Sequence, residues 1–381
     1  MSDLIAEHFD RSPDRKSSGA MKWNHYDEAL LPLWVADSDF KCAQPIIDVL
    51  QQAVAQGTYG YHLPSRSANA AVTTWLQRRH GWVIEDDWLV WLPGVVSAFN
   101  VACCAYSQPG DKVLVQLPNY KPLRLSPGIN QRELAPIATV NVAGRWQLDL
   151  DDLERQAADP RSRLLLLCNP MNPCGSVLTA AELQRIASIC LKHNVILCSD
   201  EIHCDLILNP DEQHIPAGSL PNIGEQSITI MAANKTFNVA GLSSAFAIIP
   251  DKKQRLRFQK TAMGIVPWAN YMGVLATEAA FTLCDDWYQA QLNYLRGNRD
   301  YLAQQFAQLA GFEYQPAAAT FLAWVDASGL GVSDVQAYMM AKGLAPSPGS
   351  DFGWGQFTRI NFACPRKHLE QAIARLQSKS D

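Results

Sequence analysis

The sequence predicts an α/β protein: a mostly parallel central sheet with helices on both faces, followed by a smaller α+β unit. Three observations predict it. Between about residue 45 and 250, short apolar runs such as Leu164–Cys168 alternate with helix-length amphipathic stretches. Those runs lack polar alternation, the pattern of strands buried on both faces. After Pro267 the alternation gives way to long helices and separate strands.

Ile46–Gln56 and Ala68–Arg79 read as helices, with apolar residues returning three and four positions apart. Ser97–Ser107 reads as a third, opening just after the turn Pro93-Gly94. Lys112–Leu117 reads as a strand, Leu164–Cys168 as a buried strand and Ala180–Lys192 as a helix. Val195–Ser199, Ser227–Ala232 and Ala245–Ile249 read as three more buried strands. Beyond Pro267 come two long helices, Asn270–Leu283 and Asp285–Leu309, then a strand at Thr320–Val325. A helix at Val332–Lys342, a strand at Thr358–Phe362 and a closing helix at His368–Gln377 complete the chain. The expected organisation is an arm over 1–44 that crosses back to the small unit, a large domain over 45–268 and a small domain over 269–381. At 381 residues the chain is long enough for that division.

Composition excludes several classes. A formal net charge of −5 gives no concentrated basic patch, so nucleic acid is not an expected partner. The longest apolar runs are far too short to span a bilayer. The first residues, MSDLIAEHFDRSPDRKSS, carry acids and do not resemble a secretory signal. None of the ten cysteines forms a CxxC pair, and Cys168, Cys190 and Cys198 lie inside apolar runs. They read as buried reduced thiols, which points to the cytoplasm, and no metal site is expected.

In parallel sheets ligands bind at the carboxyl ends of the strands. Asn172, Asp200 and Lys235 each lie just past an expected strand's C-terminal end, so three motifs converge on one edge. Lys235 follows the run Ile228–Ala232, and a lysine at a water-poor strand end can form a Schiff base with a carbonyl. Taken alone it would be an ordinary solvated charge. Its company changes the reading.

The blocks NPMNPCG (169–175), SDEIHCDL (199–206), ITIMAANKTFNVAGLSS (228–244) and FTRINFACP (357–365) stand in that order. Together they resemble the pyridoxal-phosphate enzymes of the aspartate-aminotransferase fold. The resemblance implies pyridoxal 5'-phosphate on Lys235, with Asp200 keeping the ring nitrogen protonated. Asn172 would donate to the ring hydroxyl, and Tyr120 in LPNYKPL would stack on the ring. Arg359 would grip the substrate carboxylate with two parallel hydrogen bonds. The phosphate would sit on the helix opening in PGVVSAFN (93–100), against Val95, Val96 and Ser97, with help from Asn234. Here the chain departs from the pattern. Relatives often carry hydroxyl residues where Ala232 and Asn234 stand, and an arginine where Ser243 stands.

MKWNHYDEALLPLWVADSDF (21–40), TYGYH (58–62), QHIPA (213–217) and TFLAWVD (320–326) narrow the resemblance to the MalY/PatB group of cystathionine β-lyase-like C–S lyases. It covers essentially the whole chain. His203 stands where aminotransferases of this fold more often have tyrosine, and it is a further expected cofactor contact. Such enzymes are homodimers in which a tyrosine from one subunit reaches the other's site; Tyr61 is the expected residue, with Tyr59 as the alternative. The segment Trp23–Phe40 would close over the substrate, with Trp34 and Ala36 beside it. The implied reaction is β-elimination from L-cystathionine, L-cysteine or another S-substituted cysteine, giving a thiol, pyruvate and ammonia. Lys235 would take the α-proton. An aminotransferase would use the same lysine, aspartate and arginine and is the alternative reading. A regulator that keeps the cofactor site is a third.

Overall fold

The computed structural model describes residues 8–378. Strand β1 (Leu31–Leu33) belongs to a small sheet described below. The large sheet has eight strands: β2 (Leu89–Leu92), β3 (Lys112–Leu117), β4 (Glu133–Val142), β5 (Arg145–Leu148), β6 (Ser162–Cys168), β7 (Ile196–Asp200), β8 (Ser227–Met231) and β9 (Ala245–Ile248). Their order is β2-β9-β8-β7-β6-β3-β4-β5. The central pairs β4–β3, β3–β6, β6–β7 and β7–β8 are parallel.

Strand β6 shows why its sequence reads as four leucines in a row. Leu164 and Leu166 face the core formed with helix Val95–Tyr106, while Leu165 and Leu167 face the core formed with helix Ala180–His193. Successive side chains of a strand point to opposite faces, and here both faces are covered. All four are fully buried, each contributing about 1.5–3 kcal/mol of apolar burial. Helix Ala180–His193 is fixed at its start by a reciprocal cap between Thr179 and Glu182 and stopped by Asn194 in the left-handed region.

Three features of this sheet differ from the sequence expectation. Strand β9 runs antiparallel to β8: Met231 and Ala245 are joined by turns and one 3-10 turn, without the α-helix that usually carries a parallel crossover. Strands β2, β4 and β5 and the helix Lys121–Ile129 were not legible. The strand LVWL is only four residues long, and Pro127 lies inside that helix. The helix expected at Ser97–Ser107 spans Val95–Tyr106, so it opens directly after Gly94.

The small sheet runs β1-β12-β13-β11-β10, with β10 (Glu313–Tyr314), β11 (Leu322–Asp326), β12 (Leu344–Pro348) and β13 (Phe357–Asn361). β1 pairs parallel with β12, placing Leu31 opposite Leu344, so the N-terminal arm is stitched onto this sheet. The stretch from Ala345 reads as loop in the sequence; two prolines in LAPSP conceal a strand whose partners come from distant segments. Trp324 and Ser347 both pair with Arg359, on either side of it.

Candidate active site

The carboxyl ends of β6, β7 and β8 border a cavity of about 180 Å³. Ala36, Val95, Val96, Tyr120, Asn172, Asp200, His203, Asn234 and Lys235 line it. The fold therefore brings together most of the residues singled out from the sequence. Asp200 is the last residue of β7 rather than one past it. Asn172 sits in a turn closed by Gly175 N–H donating to Met171 O at 2.7 Å. Gly175 has φ +70°, and a Cβ there would lie 2.6 Å from Ala317 Cβ, so this turn requires glycine.

Lys235 Nζ donates to the carbonyl of Ala36 at 2.6 Å. Burial pushes its pKa down to about 8; Asp37 opposes that shift, Arg359 adds to it and Asp200 opposes it. Burial raises the Asp200 carboxyl to about 7, against the N–H of Ile202 and the charge of Lys235. His203 is driven down to about 3, first by burial and then by Lys235 and Arg359, so its ring is neutral. Both ring nitrogens of His203 are buried without a hydrogen-bond partner among the described residues, as is Asn234 Oδ1. Burial also raises the Tyr120 hydroxyl, with Asp200 adding to the shift.

Arg359 lies at the edge of this group, reaching it through Asn172. Its Nη1 donates to Asn172 Oδ1 at 3.0 Å, and its Nη2 donates to Trp34 O at 2.7 Å and Ser347 Oγ at 3.0 Å. Burial lowers its pKa to about 10. The Phe352 ring lies 4.7 Å from the guanidinium carbon. Trp34 thus meets Arg359 through its backbone; its own indole N–H donates to Lys22 O. Ser97 is in the first helical turn but does not line the cavity.

Tyr61 is not brought to this chain's cavity. It is 95% exposed and packs edge-on against Trp268. Tyr59 is also exposed, its hydroxyl donating to Val54 O.

Pyridoxal phosphate fits the residues present. Asp200 offers a buried carboxylate, and His203 and Asn234 offer orphaned polar atoms that burial makes costly to leave unpaired. Gly94 leaves the start of helix Val95–Tyr106 without a side-chain cap, so its first N–H groups are available to an anion. Sequence reasoning missed Asp37, Ser347 and Phe352. Asp37 stood inside a quoted block, LWVADSDF, whereas nothing local marks the other two. A larger cavity, about 660 Å³, lies between the β4–β5 turn and residues 313–318. It contains none of the expected site residues, and its arginines are already paired, Arg145 with Glu182 and Arg299 with Asp300.

Residues 33–376 match the family described as aminotransferase class I and II. Cystathionine β-lyase PatB of Bacillus subtilis (strain 168) is 34% identical over 387 residues, covering 97% of this chain and 99% of the relative. The crystal structure of OvoB superposes with a TM-score of 0.94 at 42% identity, over 98% of this chain and 100% of that one. Cystalysin from Treponema denticola, whose crystal structure contains pyridoxal 5'-phosphate, gives a TM-score of 0.92 at 29% identity, covering 97% of each chain.

Proposed function

This chain belongs to the class I and II aminotransferase family, and on that premise we propose that it is a pyridoxal-phosphate-dependent carbon–sulfur β-lyase. Its substrates are L-cystathionine, L-cysteine or another S-substituted L-cysteine. The substrate and one water give a thiol, pyruvate and ammonium, with no other reactant. The observation that carries the chemistry is Lys235: a half-buried lysine with its pKa lowered to about 8, facing a cavity that also holds Asp200, Asn172 and His203. Similarity to PatB favours elimination over transamination.

Asp200 would hold the cofactor's ring nitrogen, Asn172 and His203 its ring hydroxyl, and Tyr120 its flat face. The first turn of helix Val95–Tyr106 with Asn234 would hold the phosphate. When bound, pyridoxal phosphate supplies an electron sink for the charge left when Cα loses its proton. Lys235, neutral for a useful fraction of the time near neutral pH, accepts that proton. Its ammonium then has a proton to give to the departing thiolate. Arg359 orients the carboxylate; its Nε has no partner among the described residues, leaving a donor free. The buried Ala36 carbonyl holds the lysine amine in place between proton transfers.

The active form is a homodimer with Tyr61 contributed across the interface. Tyr61 and Trp268, both exposed, line a cavity of about 410 Å³, and Leu63, Met263 and Ile265 in the flanking sequence are exposed as well, more apolar surface than monomers usually leave bare. No helix among the described residues is long and apolar enough to cross a membrane, and all ten cysteines are free, which favours a reducing compartment such as the cytoplasm.

The test is pyruvate release from L-cystathionine by cofactor-loaded protein, with and without a 2-oxo acid. Pyruvate without the 2-oxo acid supports the lyase. Amino-group transfer that needs the 2-oxo acid, with no pyruvate otherwise, makes it an aminotransferase.

A further inference from the structure

We propose that two carboxylate–imidazole pairs behind the cavity, Glu201–His214 and Asp205–His80, are positioning residues that hold Asp200 and His203 in place. The proposal rests on the cofactor reading of the site. Directly after β7 the chain makes a tight turn, with Cys204 N–H donating to Glu201 O at 2.9 Å and Leu206 N–H donating to His203 O at 2.9 Å. Asp200 and His203 from this turn line the cavity. Glu201 and Asp205 make their contacts elsewhere.

Glu201 Oε2 lies 2.7 Å from His214 Nε2, and its Oε1 accepts from Ala217 N–H at 2.8 Å. Asp205 lies 3.0 Å from His80 Nε2, and both its oxygens accept from Trp75 Nε1 at 3.1 Å. The two imidazoles meet edge to face, with centroids 5.4 Å apart. All these groups are buried apart from part of the His80 backbone region, so each contact acts in a low-dielectric interior. The turn is thereby fastened at Glu201 to the QHIPA segment and at Asp205 to helix Arg66–His80. Asp200 and His203 are free to face the cavity because their neighbours in sequence are fixed behind it.

His80, Cys204 and Asp205 also place donor atoms within 4.8 Å of one another, close enough to suggest a metal site. Asp205's oxygens are already engaged by Trp75 and His80, and burial holds the Cys204 thiol far above its ordinary pKa, so a clamp accounts for the cluster without an ion.

The experiment compares wild type with Glu201→Gln and with the double variant Glu201→Gln/His214→Phe. The double variant removes the pair without leaving a buried unpaired charge, which keeps folding within reach. Tryptophan fluorescence titration gives the Kd for pyridoxal 5'-phosphate, and melting with and without cofactor gives the Tm gain on binding. The expected result is a Kd raised about tenfold or more in the double variant, with a smaller Tm gain, because misplaced contacts weaken sharply with distance. Glu201→Gln can keep both contacts, its amide oxygen accepting from Ala217 N–H and its amide N–H donating to His214 Nε2 in the other tautomer, and stays within about threefold of wild type. A merely structural pair would lower the Tm of apoprotein and loaded protein alike and leave Kd unchanged, which overturns the proposal. It is equally overturned if Glu201→Gln loses as much affinity as the double variant. Failure of the wild type itself to bind the cofactor would instead count against the reading of the site.

Discussion

Arg359 and Asn172 stand 187 positions apart, and the guanidinium of one donates to the side-chain oxygen of the other at 3.0 Å. The contact joins the small sheet to the turn after β6. It links the group proposed for the substrate carboxylate to a wall of the cavity that holds Lys235.

Arg359→Lys should therefore lose more than a charge could restore. Lysine cannot keep the forked contacts to Asn172, Trp34 and Ser347. The loss of charge-assisted hydrogen bonds, about 1.5–3 kcal/mol, corresponds to a fall of about 10–100-fold in kcat/KM. Cofactor absorbance should be retained. Steady-state kinetics beside an absorbance spectrum checks this, and unchanged kinetics would remove Arg359 from the site.

Lys235→Ala removes the amine that shares the cavity with Asp200. Activity should fall by at least about 10²–10⁴-fold, the range of a lost acid–base group. After borohydride reduction, intact-mass measurement should find the cofactor attached to wild type and absent from the variant. Cofactor still attached to the variant would place the covalent link on another lysine.

Asp200 makes the apoprotein's stability depend on pH. Burial raises its carboxyl from an ordinary 3.8 to about 7, so between those values the folded state holds a proton that the unfolded chain has released. Stability from this group is present below about pH 4 and is lost as pH rises through about 7. Melting curves of apoprotein should show wild type losing stability relative to Asp200→Asn across that window, with the difference levelling above it. Parallel curves would contradict the shifted carboxyl.

Gly175→Ala meets two obstacles at once, a φ of +70° and Ala317 Cβ at 2.6 Å from the new atom. A cost of about 1–3 kcal/mol is expected from overpacking, and the turn carrying Asn172 must move. The variant should melt lower than wild type and hold pyridoxal phosphate less tightly, read by Tm and by titration. A lower Tm with unchanged affinity would separate Gly175 from the placement of Asn172.

Tyr61→Ala and Lys235→Ala should each be inactive alone yet complement each other when mixed under conditions that exchange subunits. A mixed dimer contains one site with both Lys235 and the partner's Tyr61, so random mixing should restore about one quarter of wild-type activity. No recovery at any ratio, with mixed dimers present by native mass spectrometry, would mean that the site is not shared.

The sequence by itself determined what local pattern can carry. Four consecutive buried leucines in β6 announced a strand covered on both faces, and Asn172, Asp200 and Lys235 could be placed at one sheet edge because each follows such a run. It could not show that β9 is antiparallel or that LAPSP is a strand, since pairing is decided by partners far along the chain. Only the tertiary structure decided that Arg359 reaches Asn172, that Ala36 meets the Lys235 amine and that Tyr61 is exposed and absent from the lining of its own chain's cavity. The pKa values near 8 for Lys235 and near 7 for Asp200 belong to the same class. They arise from burial, and burial is a property of the packed chain rather than of any segment of it.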